Sequence, residues 1–412
     1  MSLPNLHPLF LSCAFLALCA WYAAVIWRMV RDEPFMYLAW LMMIVAGAVA
    51  LRLVSTHDYP PGLYEDDIKN LLAAWMRFRG RHPLFSAGAG LGVSMAAYAI
   101  TQGTLWQILP AWWAMHLHAM ACSVLSVIGC YAIARALGQR GVVALFVAAC
   151  VATLPWSVLY GRSTVGGEIV WHETIVLWVV ATSMLEDRCG GFLTISLGLA
   201  IALLWYDYFA GRTVSYMVVT LLPVVPRKRW FEVMLGLLGG LALYVPATWY
   251  PTEWTYRGAS ISGFAPLSVW ALNLKHVWWA FTGPYAQGAA MSIAAAATMP
   301  VVVAAGCAGI AVAPWRVRIF LLTVFIIGVL PAVATSVVST HRMLCSYIAV
   351  PLAAGMLLNV VSGRRTQAIA AIAFSGIVAW QGIGTFFSPD FWAPPTGGWI
   401  VQYDPQALEA QK

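Results

Sequence analysis

Charge is what this chain has least of. Acidic and basic residues together make up 9% of its 412 positions, and lysine is nearly missing, with 4 against 19 arginines. At 61% apolar residues and a mean hydropathy of +0.78, a soluble domain is excluded, because no globular core hides that much apolar surface. The eight cysteines (13, 19, 122, 130, 150, 189, 307 and 345) lie mostly inside apolar runs. They show neither metal-type pair spacing nor an extracellular disulfide framework, so they read as reduced packing residues. The sequence has no nucleotide-binding glycine motif, nucleophile elbow or zinc motif. Its formal charge of +7 sits at the ends of apolar runs, which makes it a topology signal and not a nucleic-acid footprint, and no nucleic acid is expected as a partner.

What remains is a series of long apolar runs. At about 20 residues per span they accommodate about twelve transmembrane helices. These are expected near 8–28, 36–55, 110–135, 141–159, 169–186, 192–209, 213–226, 230–250, 289–314, 319–338, 343–362 and 367–387. The first run lacks the basic leader and small-residue cleavage pattern of a signal peptide and is expected to be a span. The fold class is therefore an all-α polytopic integral membrane protein, one membrane domain over residues 1–412. The short connections carrying Arg28 and Arg31, Arg135 and Arg140, Arg188, Arg227 to Arg229, Arg316 and Arg318, and Arg364 and Arg365 all fall on one side. By the positive-inside rule that side is the cytoplasm. Both termini, a first outer loop (56–109), a second outer loop (251–288) and a short tail (388–412) then face outward.

Three adjacent carboxylates occur in one place, Glu65, Asp66 and Asp67, in the stretch Tyr59-Pro60-Pro61-Gly62-Leu63-Tyr64 that leads to Ile68, Lys69 and Asn70. The prolines fix two φ angles, Gly62 permits a sharp turn, and Asp66 or Asp67 is suited to cap a following amphipathic helix over 68–79. That helix, with apolar Ile68, Leu71, Leu72, Trp75 and Met76 beside basic Lys69, Arg77, Arg79 and Arg81, is expected to lie in the membrane interface. A glycine-rich tract, 86–92, follows. The other outward charges are few: Arg162, Glu168, Asp207, Arg212, Arg257, Lys275, and Arg342 beside His341. Several ionisable residues on one face point to an anionic ligand at the outer boundary, while each arginine taken singly also fits snorkelling to headgroups. His116 and His118, two apart on a helix, diverge and make no ligand pair. Glu168 and His172, four apart, share a face, and leave a divalent metal open without naming a third ligand.

The motif Pro61-Gly62-Leu63-Tyr64-Glu65-Asp66-Asp67 resembles the proline-glycine and acidic signature that opens the first outer loop in the protein-mannosyltransferase and aminoarabinose-transferase group, the glycosyltransferase family 39-like members of the GT-C fold. The resemblance continues through Leu117 to Gly138, with its Tyr131, Ala134-Arg135 and Leu137-Gly138. It extends to Leu154-Pro155-Trp156 with Gly161-Arg162-Ser163, Tyr206 to Arg212, and Thr340-His341-Arg342 with Pro351, and spans about residues 45–390. The acidic pair is its most diagnostic part. Two departures stand out: Asp66-Asp67 replaces the usual Asp-Glu, and His116 stands where relatives carry an arginine near the start of the third span. The extra periplasmic domain of some relatives is expected to be absent.

The resemblance implies a GT-C-like enzyme that takes a sugar from a polyprenyl-phosphate donor on the outer face of the membrane. The excess of arginine over lysine and the lack of an organelle-targeting or retrieval signal point to a bacterial inner membrane. The acceptor would be a lipid, glycan or protein. It implies Asp66, then Asp67, as the base for the acceptor hydroxyl, and Lys69, Arg162 and Arg342 as partners of the donor phosphate. Tyr64, Glu65, His116, Glu168, Asp207 and Arg212 are expected to line the substrate. Trp112, Trp113, Tyr160, Trp278, Trp279 and Tyr285 suit either sugar stacking or an aromatic belt. No cofactor is implied with certainty, and a divalent metal and a partner protein stay open. The rival reading is a non-catalytic GT-C-like membrane subunit that binds lipid or a partner protein.

Overall fold

The computed structural model describes residues 3–55, 63–84, 96–162, 166–185, 190–207, 209–248, 266–282, 299–334, 343–388 and 400–401. Proline punctuates the chain. Pro34 and Pro110 occupy the cap positions before α2 (Phe35–Leu53) and α5 (Ala111–Ala136), while Pro155 and Pro300 open α7 (Pro155–Arg162) and α13 (Pro300–Val312). At these places the missing N–H costs nothing, since a helix's first amides have no internal acceptor. The remaining elements are α1 (Leu3–Val30), α3 (Glu65–Phe78), α4 (Ala96–Trp106), α6 (Gly141–Thr153), α8 (Gly166–Leu185), α9 (Gly191–Asp207), α10 (Thr213–Leu221), α11 (Arg227–Thr248), α12 (Leu267–Thr282), α14 (Trp315–Ala334), α15 (Leu344–Asn359) and α16 (Arg364–Phe386). Two strands of two residues each, β1 (Leu63–Tyr64) and β2 (Ile400–Val401), pair antiparallel.

Each expected span coincides at least in part with a helix, so the all-helical membrane class holds. Five described helices are long and apolar enough to cross a membrane, six if the bent pair α6 and α7 is one span, and four more are apolar but shorter. Helices are the form such a chain takes in lipid, because each backbone group must find its partner within the segment. α5 is the central one, packed along α8 and touching α1, α2, α3, α4, α6 and α7. α1, α2 and α16 present Phe10, Trp27, Trp40, Met43 and Trp380 outward, as lipid-facing helices do.

Two ends of the bundle differ in chemistry. At one, Glu33 accepts from Arg135 Nε and the Tyr131 hydroxyl, both at 2.8 Å, so the tyrosine and arginine of one motif, four apart, hold the turn between α1 and α2. Arg140 joins the same end to the turn after α15 through Asn359 (3.0 Å) and Gln367 (3.1 Å). Arg135 and Arg140, from one of the connections expected to be basic, thus lie at one end of the bundle. At the other end lie the β pair and α3, whose Leu71, Trp75 and Phe78 cluster with Trp106, Ala111, Trp112 and Met115. α3 is the amphipathic helix expected, but it is packed into the bundle end, with Asn70 and Arg77 buried as well. It starts at Glu65, so Asp66 and Asp67 belong to its first turn and the expected cap role passes from them. α4 and α12, within the two expected outer loops, were not anticipated as helices.

α9 and α11 meet backbone to backbone. A Cβ on Gly240 would lie 2.5 Å from the Gly198 carbonyl oxygen and one on Gly236 2.8 Å from that of Thr194, the small-residue spacing that lets lipid-embedded helices approach. Replacing Gly240 by Leu should therefore lower stability by about 1–3 kcal/mol or more, as overpacking does. Gly239, whose Cβ position is open, should accept Leu with little change. Thermal unfolding of both variants in detergent checks this, and equal midpoints would contradict it.

Candidate functional site

The chain carries Pro155 where α6 would otherwise run on, and the helix bends by 55° between α6 and α7. Such a break strands carbonyls inside an apolar bundle, where each unsatisfied group costs several kcal/mol. Arg52, in the last turn of α2 and 1% exposed, supplies the donors. Its Nη1 reaches Ala152 O on one side of the break (3.3 Å) and Ala48 O (3.1 Å). Its Nη2 reaches Ser157 O (3.3 Å) and Oγ (2.8 Å) on the other side, and Nε reaches Ser123 Oγ on α5 (2.8 Å). No carboxylate is among these partners. Gly161 makes the arrangement fit, since a Cβ there would fall on Ser123 Oγ and Arg52 Nε.

Arg162 closes the end of α7, as buried as Arg52. Its guanidinium donates to the carbonyls of Leu51, Val54 and Ser55, the C-terminal acceptors of α2 that have no helical partner, and faces the rings of Phe386 and Phe387 at 5.1 and 5.3 Å. The chain leaves α2 through Ser55 in the left-handed region (φ 49°). Arg52 and Arg162 both donate to carbonyls at the C-terminal end of α2, so two guanidiniums sit together at this end of the bundle.

His116 ties that pair to α3. Its Nδ1–H donates to the Arg162 carbonyl oxygen at 2.8 Å, with its ring against Trp112 at 4.4 Å, and Trp112 and Met115 pack with Leu71, Trp75 and Phe78. His118 diverges as expected: its Nε2 faces Glu168 Oε1 at 3.5 Å, and Thr101 on α4 donates to the same oxygen at 3.4 Å. His172, one turn from Glu168, meets the Tyr22 hydroxyl at 2.6 Å. Glu168 is thus interior, not in a loop. Among the described residues no group of three His, Cys, Asp or Glu is arranged to hold a metal ion.

Arg212 donates to the Tyr244 hydroxyl at 2.9 Å and lies over Trp205 and Tyr244. Tyr206 and Tyr244 in turn cluster with Ala96 and Ala97, so α4 bridges the Arg212 patch to Thr101 and Glu168. The side chains of Tyr64, Glu65, Asp66, Asp67, Lys69 and Asp207 and the whole of Arg342, Arg257, His341 and Tyr285 lie outside the described residues. Trp112 and Tyr160 are buried, while Trp278 and Trp279 are exposed, so the expected aromatic belt is divided. Sequence reasoning missed Arg52, although a lone charge inside an apolar span is itself a signal. It also missed Tyr22 and Thr101, whose types carry none.

No family model matches the chain, and no curated protein matches it. Among solved structures it is similar to the crystal structure of ArnT from Cupriavidus metallidurans bound to undecaprenyl phosphate, at a TM-score of 0.49 and 13% identity, covering 84% of this chain and 70% of that one. The membrane assignment comes from the chain's own helices.

Arg52→Leu should orphan the acceptors on both sides of the break, at about 1–3 kcal/mol for each one left dry. Gly161→Ala, which displaces Nε, should lower the unfolding midpoint in the same direction. An Arg52→Leu protein as stable as the parent would show that the break is supported in some other way.

Proposed function

We propose that the protein is a membrane glycosyltransferase that moves a sugar from a polyprenyl-phosphate donor to a lipid, glycan or protein acceptor at the α3 end of the bundle, facing away from the cytoplasm. One observation carries the reading. The first two turns of α5 hold α3, which bears the acidic motif, and the Arg162 end of α7 in a single packed unit through Trp112, Met115 and His116. A carboxylate for the acceptor hydroxyl and a guanidinium for the phosphate leaving group, the two chemistries the transfer needs, come from adjoining segments.

In this reading Asp66 takes the acceptor's proton and Asp67 supports the helix start or a second hydrogen bond. Both are in the first turn of α3, where the dipole favours a carboxylate. Lys69, Arg162 and Arg342 neutralise the donor phosphate, and Arg52 adds positive potential from behind, its partners including no carboxylate. Tyr64, Glu65, His116, Glu168, Asp207 and Arg212 line or support the substrate space. The resemblance of the acidic motif supports the same chemistry. One observation favours the alternative, a non-catalytic subunit: the Arg162 guanidinium is already engaged by backbone carbonyls and two rings.

Asp66→Asn keeps the shape and removes the base. Folding and donor binding should survive, while transfer in proteoliposomes falls by about 10² to 10⁴, the usual loss for a general base. Unchanged transfer would remove Asp66 from the role. Absence of transfer by the parent protein across a broad donor and acceptor panel would favour the non-catalytic subunit.

A further inference from the structure

The basic end of the bundle contains a cavity of about 930 Å³, at the opposite end from α3. Its walls come from the turn between α1 and α2, the C-terminal turns of α5 and α8, and the N-termini of α9 and α11. Four arginines line it, Arg28, Arg31, Arg135 and Arg229, against two carboxylates, Asp32 and Glu33. Their pairings decide what is left over. Arg135 is bound to Glu33 at 2.8 Å, Arg229 to Glu232 outside the cavity at 3.1 Å, and Arg31 to its exposed neighbour Asp32 at 3.2 Å. Arg28 has no carboxylate against it among the described residues; its guanidinium lies over the Phe192 ring at 5.3 Å.

The wall beside Phe192 is the start of α9, where Gly190 and Gly191 line the cavity ahead of a 17-residue helix. The first amides of a helix have no internal acceptor, and with the dipole they form a site for an anion. A second feature is independent of that terminus. Thr182 on α8 lines the same cavity at 4% exposure, and its hydroxyl has no hydrogen-bond partner. A buried hydroxyl left unsatisfied is unfavourable, and an occupant with acceptor oxygens would relieve it. Met29, Ala132, Trp178 and Leu193 supply an apolar lining beside these polar groups.

We propose that this cavity binds a phosphate group, held by Arg28, the α9 amides and Thr182, on a ligand distinct from the donor placed at the α3 end. A tetrahedral anion with several acceptor oxygens meets a guanidinium, a hydroxyl and free amides at once. The phosphate is carried either by an anionic phospholipid headgroup, with acyl chains beside the apolar wall, or by a soluble phosphorylated compound.

The test uses the full-length protein, delipidated in a neutral detergent, with phosphatidylglycerol, phosphatidylcholine and sodium pyrophosphate as probes. Native mass spectrometry reads lipid retention and thermal shift reads pyrophosphate. The protein should hold phosphatidylglycerol in preference to phosphatidylcholine, or be stabilised by pyrophosphate. The first result alone identifies a lipid headgroup, and stabilisation by pyrophosphate identifies the phosphate group as sufficient. Arg28→Gln, at an exposed position, should weaken whichever binding is seen about tenfold, the scale of one lost charge-assisted bond. Thr182→Val, nearly isosteric, should weaken it by a smaller factor. Sugar transfer and prenyl-phosphate binding should be unaltered in both variants, which separates this site from the proposed catalytic one. No preference for phosphatidylglycerol together with no pyrophosphate stabilisation overturns the proposal. So does binding that Arg28→Gln leaves unchanged in a variant that melts like the parent.

Discussion

A carbonyl released where a helix ends or breaks inside an apolar bundle has to find a donor within the protein. Here two guanidiniums supply them. Arg52 spans the break between α6 and α7 and reaches α5, and Arg162 closes the frayed end of α2. Between them they lock α2, α5, α6 and α7 at one end, and His116 carries that rigidity to the helix bearing the acidic motif. In a chain with so few charges, this pair is an expensive use of arginine. It fixes a bend, and it leaves positive potential beneath the bend.

That arrangement creates a tension in the functional reading. A guanidinium whose Nη atoms donate to carbonyls is a good clamp and an indirect phosphate ligand. The two roles are compatible where Arg162 acts through its charge. Within a low-dielectric bundle the field of a buried cation extends beyond its own hydrogen bonds.

The helices were legible because apolar runs of span length leave a backbone few alternatives. The proline break was not read as a break, since Leu154-Pro155-Trp156 sits in a run that is apolar on both sides, and apolarity alone does not report where an axis bends. α4 and α12, 11 and 16 residues long, are shorter than a span and so do not read as one in the sequence. Of the site, the divergence of His116 and His118 followed from helical geometry. The pairing of Glu168 with His118 and Thr101 did not, because it joins three helices far apart in sequence. The motif around Tyr131 and Arg135 has a structural use that its resemblance left unstated: both side chains grip Glu33.

The central claim is that a prenyl phosphate seats its anionic head between the first turn of α3 and the Arg162 end of α7. A structure of the full-length protein determined with a bound polyprenyl phosphate tests it directly. The account predicts phosphate density at that end, within reach of the acidic motif and above Arg52 and Arg162. Density at the opposite, basic end alone, or a prenyl chain with its head remote from α3, would contradict it.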